Sequence, residues 1–124
     1  MAFILIVEDS DDVAPLEIAL SRIDHLSVLV VTNGRDALEF IHRNNEEMAA
    51  LITDLRLPFL GGLELIRAVR ASPCNAHLPV IVISGESDPA IRTRVHDLGA
   101  NAFFTTPYSP AAIRRTLEGL LHAP

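Results

Sequence analysis

The sequence predicts an α/β protein, a doubly wound five-stranded parallel sheet with helices on both faces. Three observations carry this expectation. Five short apolar runs alternate strictly with five helix-period segments. The runs are short, continuous and rich in β-branched residues, as strands buried on both faces must be. Strict alternation of this kind implies parallel strands joined by right-handed helical crossovers.

Each element has its own reason. "AFILIV" (2–7) is a strand that stops at Glu8 and Asp9. "VAPLEIALSRI" (13–23) puts Leu16, Ala19, Leu20 and Ile23 on one helical face, with Asp11 or Asp12 as its cap and Pro15 tolerable in its first turn. "SVLVV" (27–31) is a second strand. "GRDALEFIHR" (34–43) is a helix with Ala37, Leu38 and Ile41 inward. "AALIT" (49–53) is a third strand that runs into Asp54. After the "LPFLGG" turn, "LELIRAVRA" (63–71) spaces Leu63, Ile66 and Val69 for a helix. "PVIVIS" (79–84) is a fourth strand, β-branched through its centre. A weaker helix is expected over 87–98 and a fifth strand over "NAFFT" (101–105). Ser109 and Pro110 then open a last helix, with Ile113, Leu117, Leu120 and Leu121 inward.

The length of 124 residues suits one domain, and no stretch resembles a linker, so residues 1–124 are expected to fold as a unit. A net charge of −6 argues against general nucleic-acid binding. Cys74 is the only cysteine, which excludes an intrachain disulfide framework. The first residues lack the basic segment and length of a signal peptide, and no apolar run approaches a bilayer span. A soluble, cytoplasmic protein without membrane contact is expected. The glycine pair at 61–62 lacks the surrounding pattern of a phosphate-cradling loop. The five histidines are scattered without ligand spacing, and surface positions are expected for most of them.

Ligands of open parallel sheets bind beyond the carboxyl ends of the strands. That rule selects Glu8, Asp9, Thr32, Asp54, Ser84, Thr105 and Thr106. If the first and third strands are neighbours, Glu8, Asp9 and Asp54 share one pocket. Like charges ~4 Å apart cost roughly 4 kcal/mol per pair at an effective dielectric near 20. Three ionised carboxylates there call for a cation, and a hard oxygen-seeking ion such as Mg²⁺ fits. Acids after strands also serve as caps and solvated turn residues. Asp54 suits that role least, because "LRLP" follows it and offers no helix to cap.

At these residues the chain resembles the response regulator receiver domain of two-component signalling. The resemblance rests on "ILIVEDS", "LITDLRLPFLGGLELI", "PVIVISG" and "LGANAFFTTPYSP", in order and at the family's spacing. It implies the flavodoxin-like strand order 2-1-3-4-5. It also implies a set of roles. Asp54 would accept a phosphoryl group from a histidine kinase or histidine phosphotransfer protein. Glu8, Asp9, Asp54 and the backbone carbonyl of Arg56 would hold Mg²⁺. Ser84 would hydrogen-bond the phosphoryl group, and Phe103 would be the aromatic that moves with it. Pro107 matches a proline whose peptide bond is often cis. The implied partner surface is formed by the fourth helix, fifth strand and fifth helix. A signalling domain is expected rather than an enzyme, with at most Mg²⁺-dependent self-phosphorylation and self-dephosphorylation. No output domain is expected in this chain.

One position departs from the pattern. The family has a lysine where this chain has Thr106. Three outcomes follow: phosphorylation continues with Mg²⁺ alone, Arg56 supplies a substitute cation, or the chain is a phosphate-independent interaction or dimerisation module. Arg92 and Arg94 are weaker substitutes. Retention of all three acids and of Ser84 favours the first.

Overall fold

A computed structural model describes residues 2–44, 47–57, 59–85 and 88–122. Five strands, β1 (Ala2–Val7), β2 (Leu26–Val31), β3 (Met48–Asp54), β4 (Val80–Ser84) and β5 (Ala102–Thr105), form one sheet in the order β2-β1-β3-β4-β5. Every neighbouring pair is parallel. The crossovers are α1 (Ala14–Leu20), α2 (Gly34–Arg43), α3 (Gly62–Ala71) and α4 (Pro89–Asp97), and α5 (Pro110–Leu121) closes the chain. Fold class and strand order are those expected.

The period-two geometry of a strand explains why the apolar runs are continuous. Leu5 and Val7 of β1 point to one face, where they meet Ala37 and Ile41 of α2 and Ile66 and Val69 of α3. Ile4 and Ile6 point to the other, against Leu16 and Leu20 of α1 and Ile113 and Leu117 of α5. All four β1 residues are wholly buried. Among the described residues, no helix is long and apolar enough to cross a membrane.

Several local expectations need correcting. Neither Asp11 nor Asp12 caps α1. Ser10 accepts the N–H of Asp12 at 3.0 Å and starts a short 3-10 turn, Asp11–Val13, that leads into the helix. Backbone already turning at Asp11 leaves no extended residue there to serve as a cap. Helix α1 ends at Leu20, so Ile23 packs on the core from the following turn rather than from the helix. In α3, Leu65 is wholly buried while Leu63 is half-buried, because Leu65 and Ile66 straddle the inward direction. The expected start of the fourth helix at Ser87 lies outside the described residues. Ser109 does cap α5, accepting the N–H of Ala112 at 3.2 Å, with Pro110 at the first helical position.

Candidate functional site

The parallel topology brings the carboxyl ends of β1, β3, β4 and β5 to one edge of the sheet, and the polar residues that end these strands gather there. Glu8 follows β1. Its N–H donates to the Val31 carbonyl at 3.0 Å, extending the pairing with β2 by one residue. Its side chain is only 7% exposed, and one oxygen accepts the N–H of Ser10 at 3.1 Å. Asp9 is exposed. Asp54 is the last residue of β3, in register with Ile83 of β4. Its Oδ1 accepts the N–H of Arg56 at 3.1 Å, and the Thr53 hydroxyl donates to its backbone carbonyl at 2.8 Å.

One carboxylate oxygen from each of Glu8, Asp9 and Asp54 lies within 4.8 Å of the other two. The neighbours act on Glu8 in opposite directions. Burial raises its pKa most, the Asp54 charge raises it further, and Asp9 adds a smaller push. The N–H groups of Ser10 and Asp9 oppose these effects, and the result is about 7. Burial and the neighbouring carboxylates together disfavour the ionised form of Glu8. The donor set is all oxygen, crowded and anionic, which fits a hard divalent cation.

Across the site, Ser84 ends β4 and is 1% exposed. It stands in register with Thr105 of β5. Thr106 follows β5, and its N–H donates to the Ser84 carbonyl at 3.0 Å. The Thr106–Pro107 peptide bond is cis. Phe103 is half-buried on β5, and the Arg92 guanidinium of α4 lies 4.6 Å from its ring centroid. Arg92 is thus stacked on an aromatic face. Arg56 contributes a main-chain N–H to Asp54, while its side chain is exposed. Thr32 is exposed, as are all five histidines.

Two neighbours of the site were not among the residues selected from the strand ends. Asp12, read as a cap, lines a groove together with Pro15, Thr106, Pro107, Tyr108 and Pro110. Tyr108 is half-buried, and its hydroxyl pKa is raised first by burial and then by the charges of Glu8, Asp12 and Asp54. Its being the sole tyrosine of the chain, two residues after Thr106, was the available hint.

Gly62 fixes the backbone beneath Asp54. Its N–H donates to the Leu55 carbonyl at 3.1 Å. A Cβ on Gly62 would lie 2.3 Å from the Asp54 carbonyl oxygen and 2.9 Å from the Leu55 Cα. Only a residue without a side chain lets α3 begin this close to the end of β3.

Known proteins are similar to this chain. The family model for the response regulator receiver domain matches residues 4–118. A chemotaxis protein CheY homolog of Campylobacter jejuni is 30% identical over 95% of this chain and 91% of its own length. Chemotaxis protein CheY1 of Helicobacter pylori is also 30% identical, over 95% of each chain. The crystal structure of a response regulator receiver protein from Pseudomonas putida superposes with a TM-score of 0.81 at 27% identity, covering 94% of this chain and 95% of that one. With the sheet order, the acidic cluster and the match along nearly its whole length in agreement, the chain belongs to the response regulator receiver domain family.

Proposed function

We propose that residues 1–124 act as one receiver domain that takes a phosphoryl group on Asp54 in an Mg²⁺-dependent reaction. The observation that carries this reading is the meeting of the Glu8, Asp9 and Asp54 carboxylates within 4.8 Å, at the sheet edge that also holds the buried Ser84. Glu8, Asp9, Asp54 and the Arg56 carbonyl are the residues that would hold the ion. Bound there, Mg²⁺ supplies positive charge to the carboxylates and to the phosphoryl oxygens.

The chain's own groups do the rest. The Arg56 N–H occupies Oδ1 of Asp54, which leaves Oδ2 as the attacking oxygen. A bond forms between that oxygen and phosphorus while the bond from phosphorus to the donor's nitrogen or oxygen breaks. The Ser84 hydroxyl donates to a phosphoryl oxygen. Burial limits its movement, so it is positioned before the group arrives. Phe103, two residues before the end of β5, then feels any shift of the β4 end through the β4–β5 register. The donor is a histidine kinase or histidine phosphotransfer protein. The output surface is the face formed by α4, β5 and α5.

That face has a physical reason to respond. Of α4's residues only Val95 is buried, whereas α5 buries Ile113 and Leu117. Elements with few buried apolar contacts shift at least cost. The competing reading, a phosphate-independent interaction or dimerisation module, is favoured by one residue, Thr106.

The test is intact-mass measurement after incubation with Mg²⁺ and acetyl phosphate. Wild type is expected to gain one phosphoryl group that Asp54→Asn does not. Equal behaviour of the two proteins contradicts the proposal and leaves the interaction module.

A further inference from the structure

A wholly buried hydroxyl lies one residue before Asp54. Thr53 stands in register with Val7 of β1 and Val82 of β4, and all three are fully removed from solvent. The period of two puts its side chain on the face that carries Val7, Leu51 and Val82, where α2 and α3 pack. A third valine would fill the same space and bury more apolar surface. A hydroxyl in that position is unfavourable unless it is hydrogen-bonded. Packing thus gives no reason for the polar atom, and its bond does. The hydroxyl donates to the backbone carbonyl of Asp54 at 2.8 Å.

We propose that Thr53 is a positioning residue for Asp54: its hydroxyl holds the Asp54–Leu55 peptide in the orientation from which the Arg56 N–H reaches the Asp54 carboxylate. This rests on Asp54 being the phosphoacceptor. A peptide unit is planar, so fixing the Asp54 carbonyl oxygen also fixes the direction in which Leu55 begins. Only Leu55 then separates that plane from the Arg56 N–H, which donates to Oδ1 of Asp54 at 3.1 Å. The carboxylate is closed on its own chain two residues on, as in an Asx-turn.

The start of α3 bounds the same peptide. The Gly62 N–H donates to the Leu55 carbonyl at 3.1 Å, and a Cβ on Gly62 would stand 2.3 Å from the Asp54 carbonyl oxygen. Thr53 therefore holds one carbonyl of this short turn and Gly62 the next. Without the hydroxyl, the Asp54–Leu55 peptide rotates more freely and the Arg56 N–H spends less time on Oδ1. The two carboxylate oxygens then become interchangeable, and the attacking one is no longer selected. Thr53 is too deeply buried to touch an incoming phosphoryl group, so it acts through Asp54.

The experiment compares wild type with Thr53→Val, Thr53→Ser and Asp54→Asn. Thr53→Val keeps the shape and removes the hydroxyl, whereas Thr53→Ser keeps the hydroxyl and removes a buried methyl group. Amide hydrogen exchange, read by nuclear magnetic resonance on metal-free protein, follows the Arg56 N–H directly. Loss of one ordinary hydrogen bond predicts about 10-fold faster exchange at Arg56 in Thr53→Val, with Leu5 and Ile52 unchanged. The rate of phosphoryl gain from acetyl phosphate at fixed Mg²⁺, read by intact mass, is expected to fall about 10-fold as well. Thr53→Ser is expected to restore both while melting below Thr53→Val, because it loses apolar burial. A variant that is less stable yet more active is a result that packing alone does not give. Wild-type exchange at Arg56 in Thr53→Val, faster exchange throughout β3, failure of Thr53→Ser to restore, or faster Arg56 exchange with unchanged phosphorylation would overturn the proposal. If wild type gains no more phosphoryl groups than Asp54→Asn, the phosphoacceptor reading fails, while exchange at Arg56 still decides whether Thr53 sets the turn.

Discussion

The two sides of the site are built on different chemistry. The β1–β3 side carries the carboxylates of Glu8, Asp9 and Asp54, and burial, with the Asp54 and Asp9 charges, raises the pKa of Glu8 to about 7. The β4–β5 side carries the hydroxyl residues Ser84 and Thr106, held to each other through the backbone. The acidic side is costly without a cation. The hydroxyl side is neutral and costs little in any state. On the proposed function, charge neutralisation would belong to the metal and orientation to the hydroxyls. Perturbing the acidic side should change metal dependence most, and perturbing the hydroxyl side should change the reaction while leaving metal affinity nearly constant.

The largest effect is expected from Asp9→Asn. Asp9 is exposed, so its loss should spare the fold while Mg²⁺ affinity drops by about 100-fold, read by titration calorimetry. An unchanged Mg²⁺ affinity would break the division between the two sides. Next comes Gly62→Ala, which forces a methyl group against the Asp54 carbonyl. It should destabilise the protein by ~1–3 kcal/mol in urea melts with an unchanged slope, and slow phosphorylation as well. Loss of stability alone would mean that the closeness of α3 serves packing and not the placement of Asp54.

Glu8 gives a smaller effect with a definite sign. Its pKa is 4.5 as an ordinary side chain and about 7 in the folded, metal-free protein. The folded state therefore holds that proton more tightly. Stability from this source is complete below about pH 4.5 and is lost as pH rises through 7. The metal-free melting temperature should fall between pH 5.5 and 8 more steeply in wild type than in Glu8→Gln, and Mg²⁺ should reverse the fall at pH 8. Equal slopes for the two proteins would mean that burial and the neighbouring charges do not hold the proton on Glu8. The smallest effect belongs to Arg92→Ala, where an exposed cation–π contact contributes under ~1 kcal/mol. That variant should leave Mg²⁺ affinity unchanged, since Arg92 lies on the hydroxyl side.

Much of this was legible in the sequence because it depends on period and order. The continuous run of β1 encoded a strand with two buried faces, and the alternation of elements encoded the parallel sheet. Glu8, Asp9 and Asp54 could be grouped because each follows or ends a strand whose end must lie on the same edge. What escaped detection depends on contacts between segments distant in sequence. Ser10 displaced the expected caps because the chain enters a 3-10 turn first. Tyr108 was not singled out in the sequence, since only the fold brings it near Glu8, Asp12 and Asp54. Arg92 was a weaker candidate for the substitute cation, and its engagement with Phe103 follows from the docking of α4 on β5, which no periodicity encodes. The close approach of Gly62 to Asp54 was likewise hidden, although the glycine pair was visible.

The measurement that bears most directly on the central claim locates the phosphoryl group. After incubation with acetyl phosphate and Mg²⁺, borohydride reduction converts an aspartyl phosphate to homoserine, and peptide mass spectrometry reads the position. The account predicts homoserine at residue 54 alone, dependent on Mg²⁺. Homoserine at Asp9 or Asp12, or none at any position, would contradict it.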